Sequence, residues 1–244
     1  MGGLFYNFGR MAGPHVRKAK WAWLSATGTE AEAITAEYKV GLDLARAIRL
    51  ELTADHEPDT IRLLGEIGTT LSARVANKLR TFSFEIVRNG DPNAFALPGG
   101  FIFVTRSLLE LCEWNKDELA FIVGHEMSHA IRGHAMDRIV SSSAIALGAR
   151  AMPIRGLGSA WLSSVGIQFF QSAYSQDAEL EADTLGILLA DAAGYEGCGA
   201  VQLLSRLAEL TQSESQSDLS DYFSSHPRVE LRIENAKRVL QHTK

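Results

Sequence analysis

Cysteine is nearly absent: Cys112 and Cys198 are the only two in 244 residues. Two isolated thiols exclude a thiolate metal cluster or a disulfide framework. They are read as free buried thiols, with a single pairing between them as the alternative. Long apolar runs are missing too. The best stretch, Ile139 to Ala149, covers eleven residues and is cut off by Arg150, with Arg155 close behind, too little for a bilayer span. The opening MGGLFYNFGRMAGPHVRKAK sets its charges after the aromatics and has no continuous apolar stretch, which argues against a secretory signal. Its MGG start lacks the Ser or Thr of an acylation motif, because Tyr6 stands there. The expected location is cytoplasmic.

Acidic residues are missing before Glu30, whereas Arg10, Arg17, Lys18 and Lys20 interleave with Phe5, Tyr6, Phe8, Trp21 and Trp23. Residues 1–29 are therefore set apart as a basic, aromatic arm. It either makes peripheral contact with an anionic membrane surface or packs across the rest of the chain; its glycines and Pro14 argue against one long amphipathic helix. A net charge of -5 gives no support to nucleic-acid binding. Residues 30–244 are read as a single domain with an ordinary globular composition, 46% hydrophobic and 22% charged.

What is present is mostly helical periodicity around a short stretch of alternation. Ile34, Val40, Leu44 and Ile48 predict a helix from Glu30 to about Leu52. Pro58 and Asp59 start a second that carries Ile61, Leu64, Ile67, Leu71 and Val75. Phe82, Phe84 and Ile86 alternate with polar residues up to the Asn89-Gly90-Asp91-Pro92 turn, Ala94 to Leu97 is extended, and Phe101 to Thr105 comes after the Pro98-Gly99-Gly100 turn. A short helix over 107–112 comes next. The class is α+β, predominantly helical.

Residues 125–129 read HEMSH. On a helix over 117–133, His125 and His129 stack on one face, and Glu126 projects about 100° around from His125, within reach of a water at a shared metal. Asn115 is a candidate N-cap with Glu118 three residues on, and Gly124 and Ser128 are small enough for other backbones to approach. His134, beyond Gly133, is assigned to a helix-end or solvent contact.

Two histidines leave a catalytic zinc one protein ligand short. The helical stretch 172–192 offers Glu179 and Asp183, four apart on a face shared with Ala182, Gly186 and Ala190, while Asp177 and Glu181 point to solvent. Glu179 suits the third ligand, and Asp183 suits the outer nitrogen of a ligand histidine.

Four segments, NAFALPGG at 93–100, HEMSH at 125–129, ELEAD at 179–183 and SHPRVELRI at 225–233, occur in the order found in peptidase family M48, the HtpX, BepA and Oma-like zinc metallopeptidases, which the chain resembles. The resemblance implies a gluzincin-type fold with a small sheet beside the HExxH helix. It implies one zinc per chain on His125, His129 and Glu179, with Glu126 as general base and Asp183 behind the ligands. It also places His226 near the metal, assisting the reaction or shielding the site, and makes Asn93, Ala94, Phe95 and Ala96 an edge for polypeptide substrate. Read alone, the 94–105 segment is an ordinary hairpin, and His226 caps a last helix packed through Val229, Ile233, Ala236 and Val239 or Leu240.

Residues 139–171 would form a lid, a membrane contact or a partner surface, and the polar stretch 211–225 a mobile loop before His226. The resulting expectation is a zinc endopeptidase acting on extended, unfolded or misfolded segments. The alternative is a zinc-containing, chaperone-like or regulatory binding module whose site is covered.

Overall fold

A computed structural model describes residues 29–88, 91–139, 173–212, 222, 225–226 and 228–242. The arm over 1–29 falls outside the described residues except for Thr29. The proposed lid over 139–171 does so beyond Ile139, as do the turn residues 89–90 and most of the 211–225 loop.

The chain opens with helix α1 (Glu30–Glu51), whose Thr29 and Glu32 form a reciprocal capping box. Helix α2 (Pro58–Arg74) begins on its proline, whose missing N–H would have had no helical acceptor anyway. Three strands come next: β1 (Ser83–Val87), β2 (Ala94–Leu97) and β3 (Phe101–Thr105). The sheet order is β1-β3-β2. β2 pairs antiparallel with β3, Phe95 facing Phe103, whereas β1 runs parallel to β3 with Glu85 beside Phe103. The β2–β3 turn needs positive φ at Gly99 (75°) and Gly100 (87°), conformations that glycine adopts without steric penalty. Glu37 of α1 accepts from the Gly99 N–H at 3.1 Å.

Alternation along β2 and β3 divides the apolar interior in two. Ala94, Ala96, Ile102 and Val104 join a core with Leu64, Ile67, Leu71, Phe121 and Leu203. Phe95, Leu97, Phe101 and Phe103 join Val40, Leu44 and Ile48 of α1. Both strands are buried throughout.

After the short α3 (Arg106–Leu111) comes α4 (Lys116–Ile131), which carries HEMSH. Every residue from Glu118 to Ala130 is buried, the mark of a helix enclosed on all sides. Helices α2, α5 (Gln176–Ala192) and α6 (Gly199–Gln212) and strand β2 surround it. Asn115 caps it as expected, its Oδ1 accepting from Asp117 N at 2.9 Å and Glu118 N at 3.3 Å. Glu118 does not return the bond, because its carboxylate accepts from Arg206 of α6 at 3.0 Å. The last helix, α7 (Val229–His242), packs on α5 and α6. Both cysteines are free, but only Cys112 is buried; Cys198 is exposed, since it sits in the turn before α6 rather than on an inward face.

The predominantly helical α+β class therefore holds, with the small sheet packed beside the HEMSH helix. Among the described residues, no helix is long and apolar enough to cross a membrane.

Candidate metal centre

Helices α4 and α5 can bring their functional side chains together because small residues meet where they cross. A β-carbon on Gly124 would lie 3.0 Å from Gly186 O, and one on Gly186 would lie 2.8 Å from His125 N. That crossing sets Glu179 opposite the two histidines. His125 Nε2 and His129 Nε2 are 3.1 Å apart, His129 Nε2 lies 3.2 Å from Glu179 Oε1, and His125 Nε2 lies 3.8 Å from Glu179 Oε2. With metal–ligand distances near 2.0–2.1 Å, the edge of a tetrahedral zinc site is about 3.3 Å. The three donors bracket that spacing, and they fit the ion.

His226 completes the corner. Its Nδ1 lies 3.0 Å from Glu179 Oε1 and 3.4 Å from His125 Nε2, so the four residues form one buried donor set within 4.8 Å. The His226 N–H is anchored on Tyr222 O at 2.8 Å, and Ser225 O accepts from Tyr174 N at 3.1 Å. Tyr174 in turn stacks flat on His129, with ring centroids 3.8 Å apart.

Glu126 stands beside this set. Both of its oxygens are buried without a hydrogen-bond partner among the described residues, and the nearest donor, His226 Nε2, is 3.5 Å from Oε1. Burial pushes its carboxyl above the ordinary range, more than the neighbouring imidazoles lower it. A buried carboxylate with unoccupied lone pairs is suited to take up a proton.

Behind the donors lies a buried charge network. Asp183 Oδ1 accepts from His125 Nδ1 at 2.9 Å, which directs the Nε2 lone pair inward. Arg232 grips Asp183 through two bonds, Nε to Oδ2 at 2.9 Å and Nη2 to Oδ1 at 2.8 Å. Its Nη1 also reaches Glu179 Oε2 and the Tyr222 hydroxyl, both at 3.1 Å. Burial pushes both carboxyls up, yet they are held below their usual range, Glu179 by His226 and Arg232 and Asp183 by Arg232 and His125. Arg232 was not singled out in the sequence, although it falls one position from Ile233 on the stripe of Val229 and Ala236. A fully buried arginine on that stripe requires a carboxylate partner.

His134, expected at a helix-end or solvent contact, sits instead against His129. In an unbroken helix it would sit about 140° around from His129, but α4 stops at Ile131 and Gly133 takes a φ of 78°. The chain turns, and His134 Nδ1 comes to 3.1 Å from His129 Nδ1. Its Nε2 lies 3.3 Å from Glu181 Oε2. Glu181 is exposed as expected, but it also pairs with Arg132 Nε at 2.9 Å. Burial lowers the His134 pKa despite Glu181, favouring the neutral ring.

The expected substrate edge, Asn93 to Ala96, lies beside the HEMSH helix. β2 pairs only with β3 among the described strands and packs against α4. Asn93 precedes it with its backbone already engaged: its N–H donates to Thr105 Oγ1 at 2.8 Å and its carbonyl accepts from Thr105 N at 2.9 Å.

A HExxH helix crossed by a helix that sets a glutamate against its two histidines, beside a small sheet, defines a gluzincin-type metallopeptidase architecture. The model of peptidase family M48 matches residues 60–240, and the chain belongs to that family. It is 29% identical over 156 residues to the mitochondrial metalloendopeptidase OMA1 of Schizosaccharomyces pombe, covering 62% of this chain and 44% of that protein. Identity to the beta-barrel assembly-enhancing protease of Yersinia pestis is 28% over 225 residues, 86% of this chain and 46% of the relative. The metalloprotease LoiP of Escherichia coli is 26% identical over 173 residues, 66% of each chain. The chain thus spans under half the length of the first two. Family and relatives together support a peptidase function.

Proposed function

We propose that this chain is a zinc-dependent endopeptidase that hydrolyses extended, unfolded or misfolded polypeptide segments. The observation carrying this reading is the buried Glu126 carboxylate, without a hydrogen-bond partner among the described residues, beside a donor set at tetrahedral spacing. His125, His129 and Glu179 would hold one zinc. Bound there, zinc supplies an acidified water and polarises the scissile carbonyl. Glu126 takes the proton of the attacking water and delivers it to the leaving amine. A substrate segment would add to the side of β2 that no described strand occupies, at Ala94, Phe95 and Ala96, through backbone hydrogen bonds, which require no particular side-chain sequence. Asn93 contributes by anchoring the start of that strand on Thr105.

His226 occupies the corner that a catalytic site leaves for water. Its withdrawal is therefore the step that opens the site. Replacing Glu126 by Gln should leave zinc stoichiometry unchanged and abolish cleavage of an unfolded protein. Cleavage by pure, zinc-loaded E126Q would overturn the assignment.

The four-donor arrangement also favours a second reading, a covered, regulatory or chaperone-like zinc module. His226→Ala separates the two. A latent peptidase gains cleavage when the fourth donor is removed, whereas a binding module stays inert and continues to hold unfolded protein.

A further inference from the structure

The two histidines of HEMSH are supported differently. His125 presents its outer nitrogen directly to a buried carboxylate, Asp183. His129 presents its own to another imidazole, His134, which reaches Glu181. Proton placement along this path has one consistent order. For His129 to direct its Nε2 lone pair at a metal, its proton must sit on Nδ1. His134 Nδ1 must then accept, so its own proton sits on Nε2 and is donated to Glu181 Oε2. The other Glu181 oxygen, Oε1, is held by Arg132. The path runs from the buried His129, through His134 with 13% of its side chain exposed, to Glu181 with 45% exposed. Glu181 lines a surface groove with Arg132, Leu180, Leu188 and Asn235.

We propose that His134, oriented by Glu181, is the positioning residue for His129, fixing its tautomer and ring orientation for metal binding in the way Asp183 does for His125. The inference rests on the metal reading of the site. Gly133 makes it possible, since its left-handed turn returns the next side chain to the α4 face it would otherwise leave.

The test is zinc affinity, measured by competition with a chromogenic chelator on the full chain, alongside thermal melting of the metal-free protein. His134→Leu keeps apolar bulk and removes the acceptor. It should weaken zinc binding about 10- to 100-fold with little change in the metal-free melting temperature. His134→Asn places an amide oxygen near the Nδ1 position and should recover binding to within about threefold of the parent, a rescue that a packing role would not give. Glu181→Gln, at an exposed position, reads the same path where folding is not at issue. It should weaken zinc binding in the parent but not further in the H134L background, because it acts through the imidazole.

Unchanged zinc affinity in H134L, failure of H134N to rescue, or additive losses in the double variant would each overturn the proposal. Should H134L fail to fold, the H134N and E181Q measurements decide it: loss in H134N or no loss in E181Q overturns it. If the parent itself binds no zinc, the metal reading falls; if the parent binds tightly and H134L equally so, only this inference does.

Discussion

Replacing Gly186 by Ala adds one methyl group where α5 meets α4, and the structure sets the size of the effect. The new carbon would lie 2.8 Å from His125 N, 3.1 Å from His125 Cα and 3.2 Å from Gly124 C. Ordinary contacts lie at about 3.5–4.0 Å, and all three neighbours are backbone atoms of a buried helix that cannot rotate away. The helices must part by roughly 0.7 Å. Overpacking of this kind costs about 1–3 kcal/mol, offset by up to about 1 kcal/mol from replacing a helical glycine. With the full offset the expected net is a loss of up to about 2 kcal/mol. Zinc affinity should fall with it, because the 3.2 Å between His129 Nε2 and Glu179 Oε1 would stretch beyond the tetrahedral edge. Gly65 in α2 is the control, since a β-carbon there meets nothing within 4 Å, and G65A should gain up to about 1 kcal/mol. Urea unfolding of metal-free protein, with m-values compared, measures both. If G186A proves as stable as G65A, the argument that glycines set the helix spacing is refuted.

Replacing Arg232 by Met should destabilise metal-free protein by about 3–5 kcal/mol, because Asp183 and Glu179 lose their shared buried counter-charge. Saturating zinc should reduce that deficit by restoring positive charge beside Glu179; a loss under about 1 kcal/mol in urea titrations would contradict the network's assigned role. Asp55 gives a pH signature. Burial pushes its carboxyl up, but the Glu57 N–H, Arg106 and Arg88 outweigh this and hold its pKa at about 2. A depressed folded pKa gives stability that is present above the unfolded value near 3.9 and is lost as pH falls from about 4 to 2. Discounted for the half-exposed Arg88, the contribution is about 1–2 kcal/mol. Urea midpoints at pH 4.5 and 2.5 should converge less steeply in D55N than in the parent, and equal slopes would reject the assignment.

Much of the centre was legible because its chemistry repeats at helical spacing. His125 with His129 and Glu179 with Asp183 are each four apart, and Gly124 and Gly186 mark where their helices cross. The antiparallel pairing of β2 and β3 could be read from alternation across the Pro98-Gly99-Gly100 turn. The parallel β1–β3 pairing could not, since nothing local specifies a partner eighteen residues away along the chain. The contact of His134 with His129 was not legible, because a helix ending at Gly133 leaves the direction of the next side chain open, and it is the positive φ of Gly133 that turns it back to His129. Arg232 was missed because charge suggested solvent, while its position on the inward stripe of α7 indicated burial.

The donors and their supports are gathered from distant parts of the chain: Arg232 lies 107 residues beyond His125. At synthesis rates of about 5–20 residues per second, roughly 5–20 s separate the two on a ribosome. Throughout that interval the HEMSH helix lacks its arginine network, and for nearly all of it the His226 corner as well. A nascent chain ending before residue 232 therefore carries the HEMSH motif without the assembled centre, so the order of translation itself delays the moment at which the centre can be complete.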